Sequence, residues 1–435
     1  MRQGASSGVG RIGLFFLASI VIVGFALCLG RNVFADDASP DNKMLSTMFG
    51  LNHKFEGSGT CKSCHGDPVG DPGTPPKKNS EQSIWLASDK HHSAFDTLSS
   101  DRSKDIATKG GYGDAATSAK CLACHAVNAP AALQAGSFKP SEGVTCEACH
   151  GASELWSGTD GSPHKNKGWV GKLRDADGYD AKATEVKYGL KDVVNPALRA
   201  DNCAACHLAI DAKMVTAGHP QPAFEINEYA ADEPKHWVDK RGDQYYTQLW
   251  AAGQVVCTRE AMAELGRRVT AGAAADLIKA SYDQAMAHAT MFQILVTTDG
   301  GVGAEVKDDL AKAMTTLAAG PDKDAAAAVS GLADKVFTAD LAAFAPDATA
   351  AGAILGKVID GSDAAMKSYG RRGAEQAAYA SHWLYLSKAW DADTKKELPD
   401  DLNAAFKGFF DNRDKPLGDD AAKFADAIAK IKANP

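Results

Sequence analysis

The pattern Cys-x-x-Cys-His occurs four times in this chain, as Cys61-Lys62-Ser63-Cys64-His65, Cys121-Leu122-Ala123-Cys124-His125, Cys146-Glu147-Ala148-Cys149-His150 and Cys203-Ala204-Ala205-Cys206-His207. Two thiols at this spacing add to the two vinyl groups of one porphyrin, and the histidine that follows swings under the ring to reach iron from the proximal side. Zinc ribbons also use Cys-x-x-Cys pairs, but they do not demand a histidine directly after the second cysteine. Here every copy has it. The sequence therefore predicts four covalent haem c groups, attached through the eight cysteines, with His65, His125, His150 and His207 as proximal ligands. A segment that carries four porphyrins can pack short helices on the rings instead of building an ordinary core.

Residues 1–35 read as an export leader. Arg2 and Arg11 form a basic start, Ile12 to Leu29 is an uncharged and mostly apolar run, and Val33-Phe34-Ala35 offers a small-residue cleavage site before Asp36-Asp37. The run has 18 residues, the lower edge of a membrane span, so the alternative to a cleaved leader is an uncleaved anchor. Either way the sequence predicts a periplasmic protein. Removing Arg2, Arg11 and Arg31 with the leader takes the formal charge from −8 to −11. Such an acidic chain repels nucleic acid and anionic membrane surfaces and docks with basic patches on partner proteins. Cys28 leaves with the leader.

Eight of the ten cysteines and nine of the twelve histidines fall between residues 53 and 220, whereas the chain beyond Cys257 is cysteine-free and alanine-rich. The expected fold is mainly α, in two parts: a loop-rich tetrahaem domain over residues 36–250 and an antiparallel helical bundle over 251–435. In Ala275 to Val296, the residues Ile278, Tyr282, Ala285, Ala289, Phe292 and Val296 recur at helical steps. Similar stripes occur in Asp324 to Phe344, Ala348 to Ile359, Gly373 to Trp390 and Leu402 to Phe410. Gly320-Pro321-Asp322, Pro346-Asp347, Gly361-Ser362-Asp363 and Pro399-Asp400 read as their separators. Cys257 reads as a buried free thiol at the start of the first bundle helix. A cut near residue 250 is expected to leave a haem-bearing fragment.

Eight histidines remain for the distal faces: His53, His91, His92, His164, His219, His236, His288 and His382. A second histidine gives a low-spin iron that exchanges electrons with little rearrangement, and an empty face admits a small substrate. His53 and His236 carry no compelling spacing, and helix packing accounts for His288 and His382.

The stretch Trp85-Leu86-Ala87-Ser88-Asp89-Lys90-His91-His92-Ser93-Ala94-Phe95 resembles the tetrahaem cytochrome c-554 family. So do Gly143-Val144-Thr145-Cys146-Glu147-Ala148-Cys149-His150-Gly151 and Ala217-Gly218-His219-Pro220 running to Phe224-Glu225. The resemblance covers roughly residues 50–240. It implies His91 and His219 as distal ligands, with His164 as a third. The gap from Trp85 to His91 is one residue longer than the family's usual pattern, which keeps His92 as the alternative to His91. The resulting reading is electron transfer between redox partner proteins through mostly bis-histidine haems, with oligomeric state open. The alternative is a haem enzyme acting on nitrite, hydroxylamine or nitric oxide at one five-coordinate iron. No Cys-x-x-Cys-Lys motif supports it.

Overall fold

Short helices separated by loops make up the cysteine-rich half. The computed structural model describes residue 48 and residues 52–70, 77–157, 178–237, 244–339, 341–389, 400, 404 and 420–433, and it is mainly helical, with no strand among them. The helices are α1 (Ser58–His65), α2 (Glu81–Ser88), α3 (Asp101–Gly110), α4 (Ala119–His125), α5 (Cys146–His150), α6 (Ala181–Tyr188), α7 (Pro196–His207), α8 (Ala212–Thr216) and α9 (Ile226–Asp232). α1, α4, α5 and α7 each end on a motif histidine. Local chemistry starts them: Asn195 accepts hydrogen bonds from the Ala197 and Leu198 amides, and Pro196 occupies the first turn of α7.

Apolar burial in this half is divided among small groups. One joins Phe55, Val127, Phe138 and Ala148, and another joins Leu98, Ala107, Leu122 and Ala126. Such patches are too small to hold so many short helices by themselves. A polar clasp assists: Glu147, fully buried within the third motif, accepts from the amides of Glu56, Gly57 and Ser153 at 2.8–2.9 Å and from the Ser153 hydroxyl at 2.6 Å. That carboxylate ties the loop before α1 to α5. Helix packing then pairs α1 with α5 and α4 with α7, so motif one lies beside motif three and motif two beside motif four.

The alanine-rich half forms α10 (Tyr245–Thr270), α11 (Ala275–Thr297), α12 (Lys307–Ala318), α13 (Lys323–Ala339), α14 (Ala348–Ala389) and α15 (Asp420–Ala433). α10 is the axis of this assembly and packs on α11, α13 and α14. The stripe on α11 works as its spacing predicts: Ala285, Ala289, Phe292 and Val296 are buried and Ile278 and Tyr282 pack at the edge. Asp322 and Asp347 cap α13 and α14 by accepting from Ala325 N at 2.7 Å and Ala350 N at 2.8 Å.

Two sequence readings change. Gly361-Ser362-Asp363 does not end a helix; α14 runs through it, and Ser362 is held by its hydroxyl donating to the Ile359 carbonyl at 2.7 Å. The break comes at Tyr369–Gly370, where Gly370 takes φ 52°, a conformation open to glycine. Cys257 does not begin a helix. It lies twelve residues into α10, buried as expected. The division near residue 250 falls inside α10, at the fully buried Trp250, and one core joins Ala197, Ala200, Ala204 and Leu208 of the haem half to α10, α11, α13 and α14. The leader (1–35), Cys28, His164 and most of the Leu402 to Phe410 stripe lie outside the described residues.

Candidate haem sites

No disulfide joins any described cysteine, including the eight of the four motifs. Among the described residues, the sole group of three metal-ligating side chains with ligand atoms within 4.8 Å of one another is Asp89, His91 and Glu233.

A ligating histidine needs one ring nitrogen fixed so that the other is aimed at the metal. Several histidines here have Nδ1 fixed in this way. His65 Nδ1 pairs with Glu81 Oε2 at 2.8 Å, His91 Nδ1 with Asp89 Oδ1 at 3.0 Å, His125 Nδ1 with the Ala94 carbonyl at 3.1 Å and His219 Nδ1 with the Pro220 carbonyl at 2.8 Å. The hydrogen bond from Glu81 raises the pKa of His65. Burial works against a charged His91, but the Asp89 carboxylate outweighs it and the pKa rises. His207 goes the other way, pushed down to about 4 by burial and by the nearby His91 and His125. A neutral imidazole is the form that binds a metal.

Two of these rings face proximal histidines. The ring centres of His125 and His219 are 6.4 Å apart, and those of His91 and His207 are 5.9 Å apart. Two imidazoles bound to one iron at about 2 Å each would hold their ring centres roughly 6 Å apart. The residues present thus fit haem at motifs two and four. At motif one, Cys61, Cys64 and His65 line a recess with Thr60, Trp156 and Ser157. His150 of motif three ends α5.

His91 and His92 take different directions. His92 packs edge-on against Trp85 with ring centres 4.8 Å apart, and the Trp85 indole donates to the Val144 carbonyl at 3.0 Å. The chain before motif three passes close over this turn: the Val144 amide donates to the His91 carbonyl at 3.0 Å. Gly143 is required there, since its φ is 78° and a Cβ would lie 2.6 Å from the His92 carbonyl oxygen. His236 is fixed through Nδ1 by the Pro234 carbonyl at 3.1 Å. His53 instead uses Nε2, with the Val186 carbonyl at 3.3 Å. His288 is buried in the bundle against Gln254 Oε1 at 3.0 Å, and His382 lies beside Trp383. No motif marks the anchors Glu81 and Asp89, whose roles depend on contacts made across the fold.

Residues 60–151 match the family model described as cytochrome c554 and c-prime, so the resemblance read from the sequence holds over that segment. The matched family is one of c-type cytochromes, which carry covalently bound haem, and the match spans the first three motifs; the fourth lies beyond it. No curated protein and no solved structure matches the chain. No helix among the described residues is long and apolar enough to cross a membrane.

Proposed function

We propose that this c-type cytochrome is an exported tetrahaem electron carrier, working in the periplasm between redox partner proteins. In this reading, His207 and His91 would hold one haem iron, His125 and His219 would hold a second, and His164 would serve one of the other two motifs. The observation that carries it is the pair of opposed imidazoles, at 6.4 Å and 5.9 Å between ring centres. When bound, haem supplies a one-electron iron couple, and histidine on both faces keeps its potential below that of methionine-ligated iron. The chain's own part is positional. Ala94, Pro220 and Asp89 fix the Nδ1 atoms, and the α1–α5 and α4–α7 contacts bring the motifs into pairs. The net charge of −11 after loss of residues 1–35 suits docking with basic partners.

A pyridine haemochrome assay on the matured protein should give four haems per chain, and electron paramagnetic resonance of the oxidised protein should be mainly low-spin. His219→Ala should convert one iron to high spin. Two haems or fewer would refute the count. An unchanged spectrum in His219→Ala would remove His219 as a ligand, and a strong high-spin signal in the unmodified protein would favour the enzyme reading.

A further inference from the structure

His219 sits on a strap, residues 208–225, that leaves the end of α7 and enters α9. Its own turn is short: the His219 amide donates to the Met214 carbonyl at 3.0 Å, and Arg102 Nη2 donates to the Gly218 carbonyl at 3.3 Å. The rest of the strap is held from behind by the bundle. Arg268, on α10 and 1 % exposed, donates through Nη2 to the Ile210 carbonyl at 2.8 Å and through Nη1 to Gln221 Oε1 at 3.3 Å. Gln221 Nε2 donates to Gln284 Oε1 on α11 at 2.6 Å, and Gln284 Nε2 reaches the Pro222 carbonyl at 3.4 Å. From α14, Arg372 Nη2 donates to the Gln221 carbonyl at 3.1 Å and Gln376 Nε2 to the Phe224 carbonyl at 3.1 Å. Three bundle helices thus grip one short loop.

The grip is stiffened behind the first contact. Arg268 Nε donates to Glu264 Oε1 at 2.8 Å and its Nη1 to the Leu277 carbonyl at 2.9 Å. Gln376 Oε1 accepts from Gln254 Nε2 at 3.1 Å, and Gln254 Oε1 meets His288 Nδ1 at 3.0 Å. These groups lie in a low-dielectric interior, where an unpaired donor or acceptor is costly, so the strap carbonyls are strongly specified partners.

We infer that the bundle is a ligand-positioning device: Arg268, Gln284, Arg372 and Gln376 clamp the strap so that His219 stays opposed to His125. The inference rests on His219 being the sixth ligand at motif two. With haem bound, a loosened strap would let the His219 imidazole move away while the motif cysteines and His125 stay in place, and the iron held there would be open to an outside ligand.

The test uses the full haem-loaded chain, with carbon monoxide binding to the reduced protein and the spin state of the oxidised protein as readouts. Arg268→Met removes the deepest grip, and Gln221→Ala removes the strap's side-chain bonds to Arg268 and Gln284 while keeping every bundle residue. Loss of charge-assisted bonds on this scale should raise carbon monoxide binding at one haem about tenfold or more, with partial recovery in Arg268→Lys. Arg259→Met is the control: it breaks a different buried contact between α7 and the bundle, and it should weaken the fold without opening an iron. His219→Ala, run in parallel, defines full opening. If His219→Ala leaves the spectrum unchanged, the ligand assignment fails and the inference with it. If His219→Ala opens an iron but folded Gln221→Ala and Arg268→Met remain low-spin and inert to carbon monoxide, the clamp alone is overturned. Should Arg268→Met fail to fold, Gln221→Ala decides by the same criterion.

Discussion

Glu225 offers a quantitative check on how the two halves are joined. It caps α9, accepting from the Glu228 amide at 2.9 Å and from Asn227 Nδ2 at 3.3 Å, and it is 2 % exposed. Burial pushes its pKa from the ordinary 4.5 up to about 8, against the opposing effect of those hydrogen bonds. Between these values the folded chain holds a proton that the unfolded chain has released, so stability falls as pH rises through that window; below it both states are protonated and the carboxyl makes no difference. The span corresponds to on the order of 5 kcal/mol at about 1.4 kcal/mol per tenfold change. Glu225→Gln keeps a neutral side chain at every pH and gives up one acceptor, a loss of about 1 kcal/mol that does not vary with pH. Guanidinium unfolding of the haem-loaded chain at about pH 5 and about pH 8.5 should show the unmodified protein losing several kcal/mol more across the interval than the variant. Equal pH slopes would show that Glu225 is not held as a buried neutral acid, and would refute the argument.

Two further predictions concern single contacts. Asp89→Asn replaces the carboxylate on His91 Nδ1 with a neutral partner, which lowers the ligand's basicity; one haem potential should move upward in a potentiometric titration with the low-spin signal kept, and unmoved potentials would count against Asp89 as the tuning group. Arg259→Met strips the 5 %-exposed Asp201 carboxylate of its partner and also breaks contacts to Glu260 at 2.8 Å and Asp334 at 3.5 Å. Orphaning one member of a buried pair typically costs about 3–5 kcal/mol, so a loss below about 1 kcal/mol in denaturant unfolding would exclude a buried role.

The four Cys-x-x-Cys-His motifs can be read from the sequence because their chemistry is local: two thiols and an imidazole must lie within five residues for one ring. The Gly218-His219-Pro220 turn was legible for the same reason. His91 and His92 could not be separated, since neighbours in sequence share every local signal; the choice depends on Asp89 fixing one ring and Trp85 packing on the other, with Trp85 itself held by Val144 from the next motif. The first half of α10 was hidden for another reason. From Leu249 to Thr258 every residue is buried, so there is no polar face and no stripe for periodicity to detect. Gly361 failed as a stop because a punctuating residue only lowers helix stability by about 1 kcal/mol, less than the packing of α14 on α11 returns.

That all-round burial of α10 also explains why the motif-bearing segment is joined to an alanine-rich bundle through a single core. A bundle closed on itself would bury apolar faces and leave its polar groups to water. Here α10, α11 and α14 carry Arg268, Gln254, Gln284, His288 and Gln376 inside, each with 5 % exposure or less. Burial pushes the His288 pKa down to about 3, helped by the charge of Arg372, so this ring is neutral and its Nδ1 contact to Gln254 is an uncharged link in the chain that ends at the Phe224 carbonyl. Phe224 in turn lies nearly parallel to the His207 ring, with centres 6.2 Å apart. Arg268, Gln284, Arg372 and Gln376 of the bundle therefore find acceptors on the backbone of the other half, and the residue where that chain ends lies beside the imidazole of motif four. Separating the halves would expose Trp250 and leave buried donors without acceptors on one side and a loose His219 strap on the other, so neither half is expected to keep its geometry alone.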